Sequence, residues 1–322
     1  MHYALPYKTK QFFFVLIKLS IVVGAFYFIY QKLAYNSALT FLDFTGFLSK
    51  NNVFSPQNVL FLLLLSILNW FFEILKWQNL VQPIKHISFK KAIAQSLGAL
   101  TASIFTPNRI GEYGAKAIYF SSNFRKRILF VNLISNLLQM AVTVIFGIAG
   151  FSLYICTYEP DLNYYKLARY AVLLFCGLFL FAFGLKKSPF RIRGFSLEKI
   201  KPFLSNYPKS KILFGFLLSI NRYIIFSFQL YFILSLFQVN LNYLSAMTII
   251  TSMYLIASIV PTIFIFDVVI KGSVGVYLFT LAGVNELVVL AAITLMWLLN
   301  FVIPSLFGSY YVLKFNLPKK QD

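Results

Sequence analysis

The chain has 322 residues, of which 59% are apolar and only 12% charged, while Lys and Arg outnumber Asp and Glu 29 to 9 for a formal charge of +20. Soluble domains carry roughly a quarter of their residues as charges, so a chain with a mean hydropathy of +0.76 has too little polar material to coat a water-soluble globule. That excludes a basic nucleic-acid binder, a disordered chain, a collagen and a disulfide scaffold, and leaves a polytopic membrane protein whose apolar spans are joined by basic loops.

A span needs about 20 mainly apolar residues. Six segments meet that length: 12–30, 57–78, 128–155, 167–185, 211–236 and 286–312. The first reads as a span and not as a cleavable signal, because Gly24-Ala25-Phe26 is a poor cleavage site and the segment is long enough to cross. Two further apolar segments are interrupted. Residues 92–120 contain Thr106-Pro107, Gly111 and Gly114, and residues 243–283 contain Val260-Pro261, Gly272 and Gly275. Proline removes a backbone donor and biases the preceding residue away from helix. Each segment is therefore predicted to be two half-helices about a break at Pro107 and Gly111, or at Pro261 and Gly272. Broken backbone at membrane depth requires burial in protein or a cavity.

Charge distribution favours re-entrant hairpins over kinked spans. With the N-terminus in the cytoplasm and both broken segments returning to their side of entry, residues 8–10, 76–91, 125–127, 186–211 and 314–320 face inward. They carry 20 of the 29 basic residues, against 4 outside. This is the bias the positive-inside rule demands. A complete crossing by 92–120 would put the 125–127 cluster opposite Lys90 and Lys91. The expected fold class is thus all-α: six spanning helices plus two re-entrant hairpins, with both termini cytoplasmic. It forms one integral-membrane domain whose halves, about 1–155 and 156–322, have the same order in opposite orientation. Inverted-topology repeats of this kind occur in many secondary transporters. The stretches Ala102–Pro107 and Ala257–Pro261 are similar, and a lysine follows each proline, Lys116 and Lys271.

Thr106–Ala117 (TPNRIGEYGAKA), Pro261–Tyr277 (PTIFIFDVVIKGSVGVY) and the Pro304–Gly308 helix resemble the flippase-like family, the transmembrane region of lysylphosphatidylglycerol synthases and their stand-alone relatives. The resemblance spans nearly the whole chain. The second break differs from the family pattern: Lys271-Gly272-Ser273-Val274-Gly275 stands where the family often has Gly-Gly-x-Gly followed by an acid, and Asp267 lies earlier. The resemblance implies a lipid flippase of the bacterial cytoplasmic membrane, working from the inner to the outer leaflet. Ten residues follow the last predicted span, so lipid translocation is expected and aminoacyl transfer is not.

Ionisable groups inside spans are costly and mark function by default. Arg109, Glu112 and Lys116 share one helical face after the first break, and Asp267 and Lys271 lie four apart after the second. Arg222 falls near the middle of its span. These six are the candidate substrate-binding residues, with the internal salt bridge as the alternative for each pair, and Glu73, Glu112 or Asp267 as structural partners for Arg222. A head-group phosphate stripped of water needs replacement partners. Arg and Lys supply them, Arg in bidentate fashion. Glu73 and Lys76 are expected to be an interfacial pair. The stripe Asn132, Asn136, Gln139 and Thr143 has helical spacing and reads as interhelical bonding or pore lining.

The competing readings are a membrane-embedded head-group transferase, an ion- or solute-coupled secondary transporter and an accessory subunit of a lipid-synthesis complex. Catalysis is the weaker expectation. His2 and His86 are isolated, Cys156 and Cys176 have no metal spacing, and no nucleophile elbow or paired-aspartate motif is present. No cofactor, metal or nucleic acid is expected. The expected partner is a membrane lipid, with a second copy of the chain or a lipid-synthesis enzyme as protein partners.

Overall fold

The computed structural model describes residues 55–104, 110–160, 205–259 and 267–316, with isolated positions 20, 23, 27, 46, 49, 106 and 203. The expected span at 167–185 lies outside the described residues, as does that at 12–30 apart from its three isolated positions. Every regular element among the described residues is helical.

Four helices are long and apolar enough to cross a membrane. They are α1 (Pro56–Val81), α4 (Ser122–Tyr158), α5 (Lys209–Leu236) and the run Glu286–Lys314. They coincide with the predicted spans at 57–78, 128–155, 211–236 and 286–312. The last run comprises α8 (Glu286–Trp297), a π-helical turn (Leu298–Val302) and α9 (Ile303–Lys314). Local chemistry starts these helices. Ser55 caps α1 by accepting from Asn58 N, with Pro56 in the first turn, and Asn285 caps α8 by accepting from Leu287 N. At 37 residues, α4 is about 55 Å long. It outruns a hydrocarbon core of about 30 Å.

The remaining helices come in two pairs, α2 (Phe89–Ser103) with α3 (Ile110–Ile118), and α6 (Tyr243–Ile259) with α7 (Asp267–Thr280). Their lengths of 15, 9, 17 and 14 residues fall short of a crossing. In the first pair the chain doubles back. Tyr119, just past α3, donates its hydroxyl to the carbonyl of Ala94 near the start of α2 at 3.1 Å. Gly111 N donates to Thr106 Oγ1 at 2.9 Å and fastens the first turn of α3 to the connection. The second pair folds back likewise, with a Cβ at Gly275 coming 3.1 Å from Met253 Sδ.

One expectation needs correction here. Gly272 does not mark the second break but lies inside α7. A lone glycine weakens a helix by only about 1 kcal/mol and does not end it; an added Cβ there would meet Leu290 Cδ2 at 3.2 Å. The tight contact falls one turn later, where a Cβ at Gly275 would meet Ile293 Cδ1 at 2.6 Å. Pro107 and Pro261 lie outside the described residues.

Packing pairs the two halves. α1 packs on α5, α2 on α9, and α6 on α4, while α3 and α7 pack on the helices that follow them, α4 and α8. Two of these contacts depend on glycine. At Gly308 a side chain would drive into the Leu97 carbonyl and Thr101 hydroxyl of α2, and at Gly150 into Thr251 of α6. Close backbone approach through small residues is how helices associate in lipid, where no hydrophobic force between them is available. The Thr101 hydroxyl then donates to Ser305 O of α9 at 2.8 Å. The main apolar core joins α5, α6 and α8 through residues such as Ile233, Ile249, Ala291 and Ala292. A second one surrounds Trp77, Leu80, Ile128 and Val131. The outer face of α4 leaves Leu137, Ile145, Ile148 and Leu153 uncovered, as a lipid-facing helix does.

Candidate functional site

The four long helices each place a polar side chain within a residue of their midpoint: Asn69 on α1, Gln139 on α4, Arg222 on α5 and Asn300 on the 286–314 run. These four form one network. Arg222 Nε donates to Asn69 Oδ1 at 3.0 Å, and Arg222 Nη1 donates to Gln139 Oε1 at 3.4 Å. Asn69 Nδ2 donates to Asn300 Oδ1 at 2.8 Å, and Asn300 Nδ2 donates to Gln229 Oε1 at 2.8 Å. Gln229 is anchored in turn through Nε2, donating to Leu62 O at 3.0 Å and Ser66 Oγ at 2.9 Å. The chain has a direction: each amide spends its N–H on the next partner, so Asn69 presents its oxygen to the guanidinium.

The π-turn belongs to this hub. Pro304 has no N–H, so the carbonyl of Asn300 loses its usual helical partner four residues on. Trp70 Nε1 takes its place at 2.9 Å. π-turns occur often at functional sites, and here the distortion brings both the backbone and the amide of Asn300 into contact with α1.

Glu73 lies one turn beyond Asn69. Its Oε2 accepts from Arg222 Nη1 at 2.6 Å and from Lys76 Nζ at 2.7 Å. The pair expected from their spacing is present, and both residues are buried, at 6% and 1% exposure, where α5 packs on α1. Arg222, predicted from its mid-span position, finds Glu73 as partner. A guanidinium has five donor hydrogens, and the three bonds made by Nε and Nη1 leave those of Nη2 without an acceptor among the described residues.

Beside Arg222 lies a cavity of about 280 Å³ whose lining includes Asn69, Gln139, Thr143, Lys271 and the rings of Tyr223, Phe226 and Tyr254. A smaller one of about 130 Å³ shares Asn69, Arg222, Phe226, Tyr254 and Lys271 and extends to Trp70, Trp297 and Asn300. Two of the predicted site residues, Arg222 and Lys271, thus meet at one space. The polar stripe on α4 divides between its two readings. Asn132 and Asn136 bond neighbouring helices, Asn136 Nδ2 donating to Tyr113 Oη at 2.9 Å, while Gln139 and Thr143 line the cavity.

Glu112 and Lys116 form a separate cluster. Lys116 Nζ lies 2.6 Å from Glu112 Oε1, donates to Asn132 Oδ1 at 3.0 Å and sits 4.2 Å from the centre of the Trp77 ring. Trp77 Nε1 donates to Gln95 Oε1 at 2.8 Å. Lys116 is 1% exposed, and neither member of the pair lines either cavity. Arg109 and the side chain of Asp267 lie outside the described residues. Asn69, Gln229 and Asn300 were missed by sequence reasoning. The available signal was an amide midway along an otherwise apolar span. Among the described residues no group of His, Cys, Asp and Glu could hold a metal ion.

Membrane-length helices, two short helix pairs and a polar hub at mid-helix define a multi-pass helical membrane protein. The chain belongs to the family of the lysylphosphatidylglycerol synthase TM region, whose model matches residues 15–308. No match was found among curated proteins or among solved structures.

Proposed function

We propose that this protein translocates a phospholipid or a related amphipathic lipid across the cytoplasmic membrane of a bacterium, the head group passing through the cavity beside Arg222 while the acyl chains stay in lipid. The observation that carries this reading is the lining of that cavity. Arg222 and Lys271 supply cations, Asn69, Gln139 and Thr143 supply neutral polar groups, and Tyr223, Phe226 and Tyr254 supply aromatic surface. Moving a phosphate through hydrocarbon unaided strips its hydration at prohibitive cost. The free Nη2 side of a guanidinium replaces that water with charge-assisted bonds. The aromatic wall suits the glycerol and upper acyl region.

Family membership supports a lipid as cargo. The packing of α2 on α9 and of α6 on α4, with α1 on α5, supports an inverted repeat whose two short helix pairs are re-entrant, the arrangement alternating access uses. In this reading both termini are cytoplasmic and the chain carries out no group transfer. Glu112 and Lys116 hold the first hairpin in place, and Arg222 and Lys271 contact the cargo.

Arg222→Ala is the direct test. Glu73 keeps Lys76 as partner in that variant, so the protein still folds. Fluorescent phospholipid translocation in reconstituted vesicles is expected to fall at least tenfold. Wild-type rates in Arg222→Ala would eliminate the site. Solute flux without lipid movement would identify a solute transporter instead, and a new lipid product in the presence of a head-group donor would identify a transferase.

A further inference from the structure

Arg222 does not meet the cavity as an isolated cation. A single carboxylate oxygen, Glu73 Oε2, serves both Arg222 Nη1 and Lys76 Nζ. The side chains of Lys76 and Glu73 are enclosed at 1% and 8% exposure, whereas that of Arg222 is 19% exposed. Neither Glu73 nor Lys76 lines the cavity. The cluster therefore carries two cations against one carboxylate, and the excess positive charge reaches the cavity through Arg222. Glu112 and Lys116 pair with each other nearby.

We propose that Glu73 and Lys76 are positioning residues that set the charge presented by Arg222, so that the cavity accepts one singly charged phosphodiester. The inference rests on the lipid-translocation reading and specifies its ligand. A phosphodiester carries one negative charge and brings the three-residue cluster to neutrality, and a phosphomonoester, carrying up to two, overshoots it; Lys271, which lines the same cavity, is engaged in an interaction of its own. Glu73 keeps Arg222 Nη1 while the phosphate takes the Nη2 side, so Glu73 and Lys76 set the charge at the cavity without touching the cargo.

The two enclosed residues should then act with opposite sign. Glu73→Gln raises the excess charge. Purified full-length protein is expected to bind phosphatidylglycerol roughly tenfold tighter and to release it more slowly, lowering the maximal translocation rate. Its preference should also move toward phosphatidic acid. Lys76→Met leaves Arg222 and Glu73 as a neutral pair and is expected to weaken binding roughly tenfold. The double variant Glu73→Gln/Lys76→Met restores one net positive charge and should return affinity to within about threefold of wild type. Lys271 is common to all forms and cancels from the comparison.

Binding is read by native mass spectrometry against phosphatidylglycerol and phosphatidic acid, and translocation in vesicles of the same lipids. Shifts of equal sign in the two single variants, or a folded double variant that does not recover, overturn the assignment. Lys76→Met retains the Arg222–Glu73 pair and the double variant strands no carboxylate, so these two decide the matter if Glu73→Gln does not fold. Wild-type protein that binds phosphatidylglycerol without moving it ends the translocation reading, while the order of affinities still judges Glu73 and Lys76. Wild-type protein that does not bind phosphatidylglycerol overturns the phosphodiester assignment itself.

Discussion

The first hairpin and the cavity wall both bury ionic groups, and they do so in opposite ways. At the first hairpin Lys116 is closed in by Glu112, Asn132 and the face of Trp77, with 1% of it exposed. The pair is neutral and faces no cavity. At the cavity wall Arg222 is bonded on its inner side to Glu73, Asn69 and Gln139 and open on the other, in a cluster with one cation too many. Burying charge is worthwhile structurally only when the partners are complete. A cation left partly unsatisfied beside a cavity is a cost that a bound anion removes. The difference teaches that burial alone does not mark function in this molecule; incomplete pairing at a cavity does.

The largest effect should come from breaking the complete pair. Lys116→Met removes the salt bridge to Glu112, a loss of about 3–5 kcal/mol for breaking a buried pair. We expect little folded protein in detergent, read as a fall in melting temperature and monodisperse yield. Arg222→Ala should cost far less stability while abolishing transport. Equal destabilisation by the two would break the comparison.

A middle-sized effect should come from Asn300→Leu. It removes the acceptor of Asn69 Nδ2 and the donor to Gln229, which costs about 1–3 kcal/mol for unsatisfied buried partners. Asn69 is then free to turn its oxygen from Arg222, so transport should fall by more than stability does. A transport rate tracking only the folded fraction would remove Asn300 from the positioning network. The smallest effect is expected at the closed end. Tyr113→Phe deletes the acceptor of Asn136 at about 1 kcal/mol and leaves translocation per folded molecule unchanged. A lowered rate there would show that the first hairpin also contributes to the path.

Much of the fold was legible in sequence because lipid imposes so simple a rule. A run of about 20 apolar residues has to satisfy its backbone internally and becomes a helix, and the four long helices lie where hydropathy put them. The prolines and lysines of 92–120 and 243–283 marked the short pairs. Arg222 stood out because a mid-span arginine is expensive. Asn69 and Asn300 did not, because a neutral amide costs less and its partner is unreadable when it lies 231 positions away. The burial of Glu73 and Lys76 was illegible for a related reason. Three-residue spacing announces their own pair, while α5, which supplies Arg222, is distant in sequence.

The sequence by itself determined that the chain is a helical membrane protein, where its four long apolar helices lie, and which cations are out of place in an apolar segment. These properties follow from composition, run length and the cost of charge in hydrocarbon, all local to a segment. Tertiary structure decided which buried charges are complete and which are not. It set Lys116 over Trp77, gave Arg222 its partner in Glu73, and brought Arg222 and Lys271 to a common cavity. Those outcomes depend on which helices pack together, above all α1 on α5, and not on any property of one segment alone.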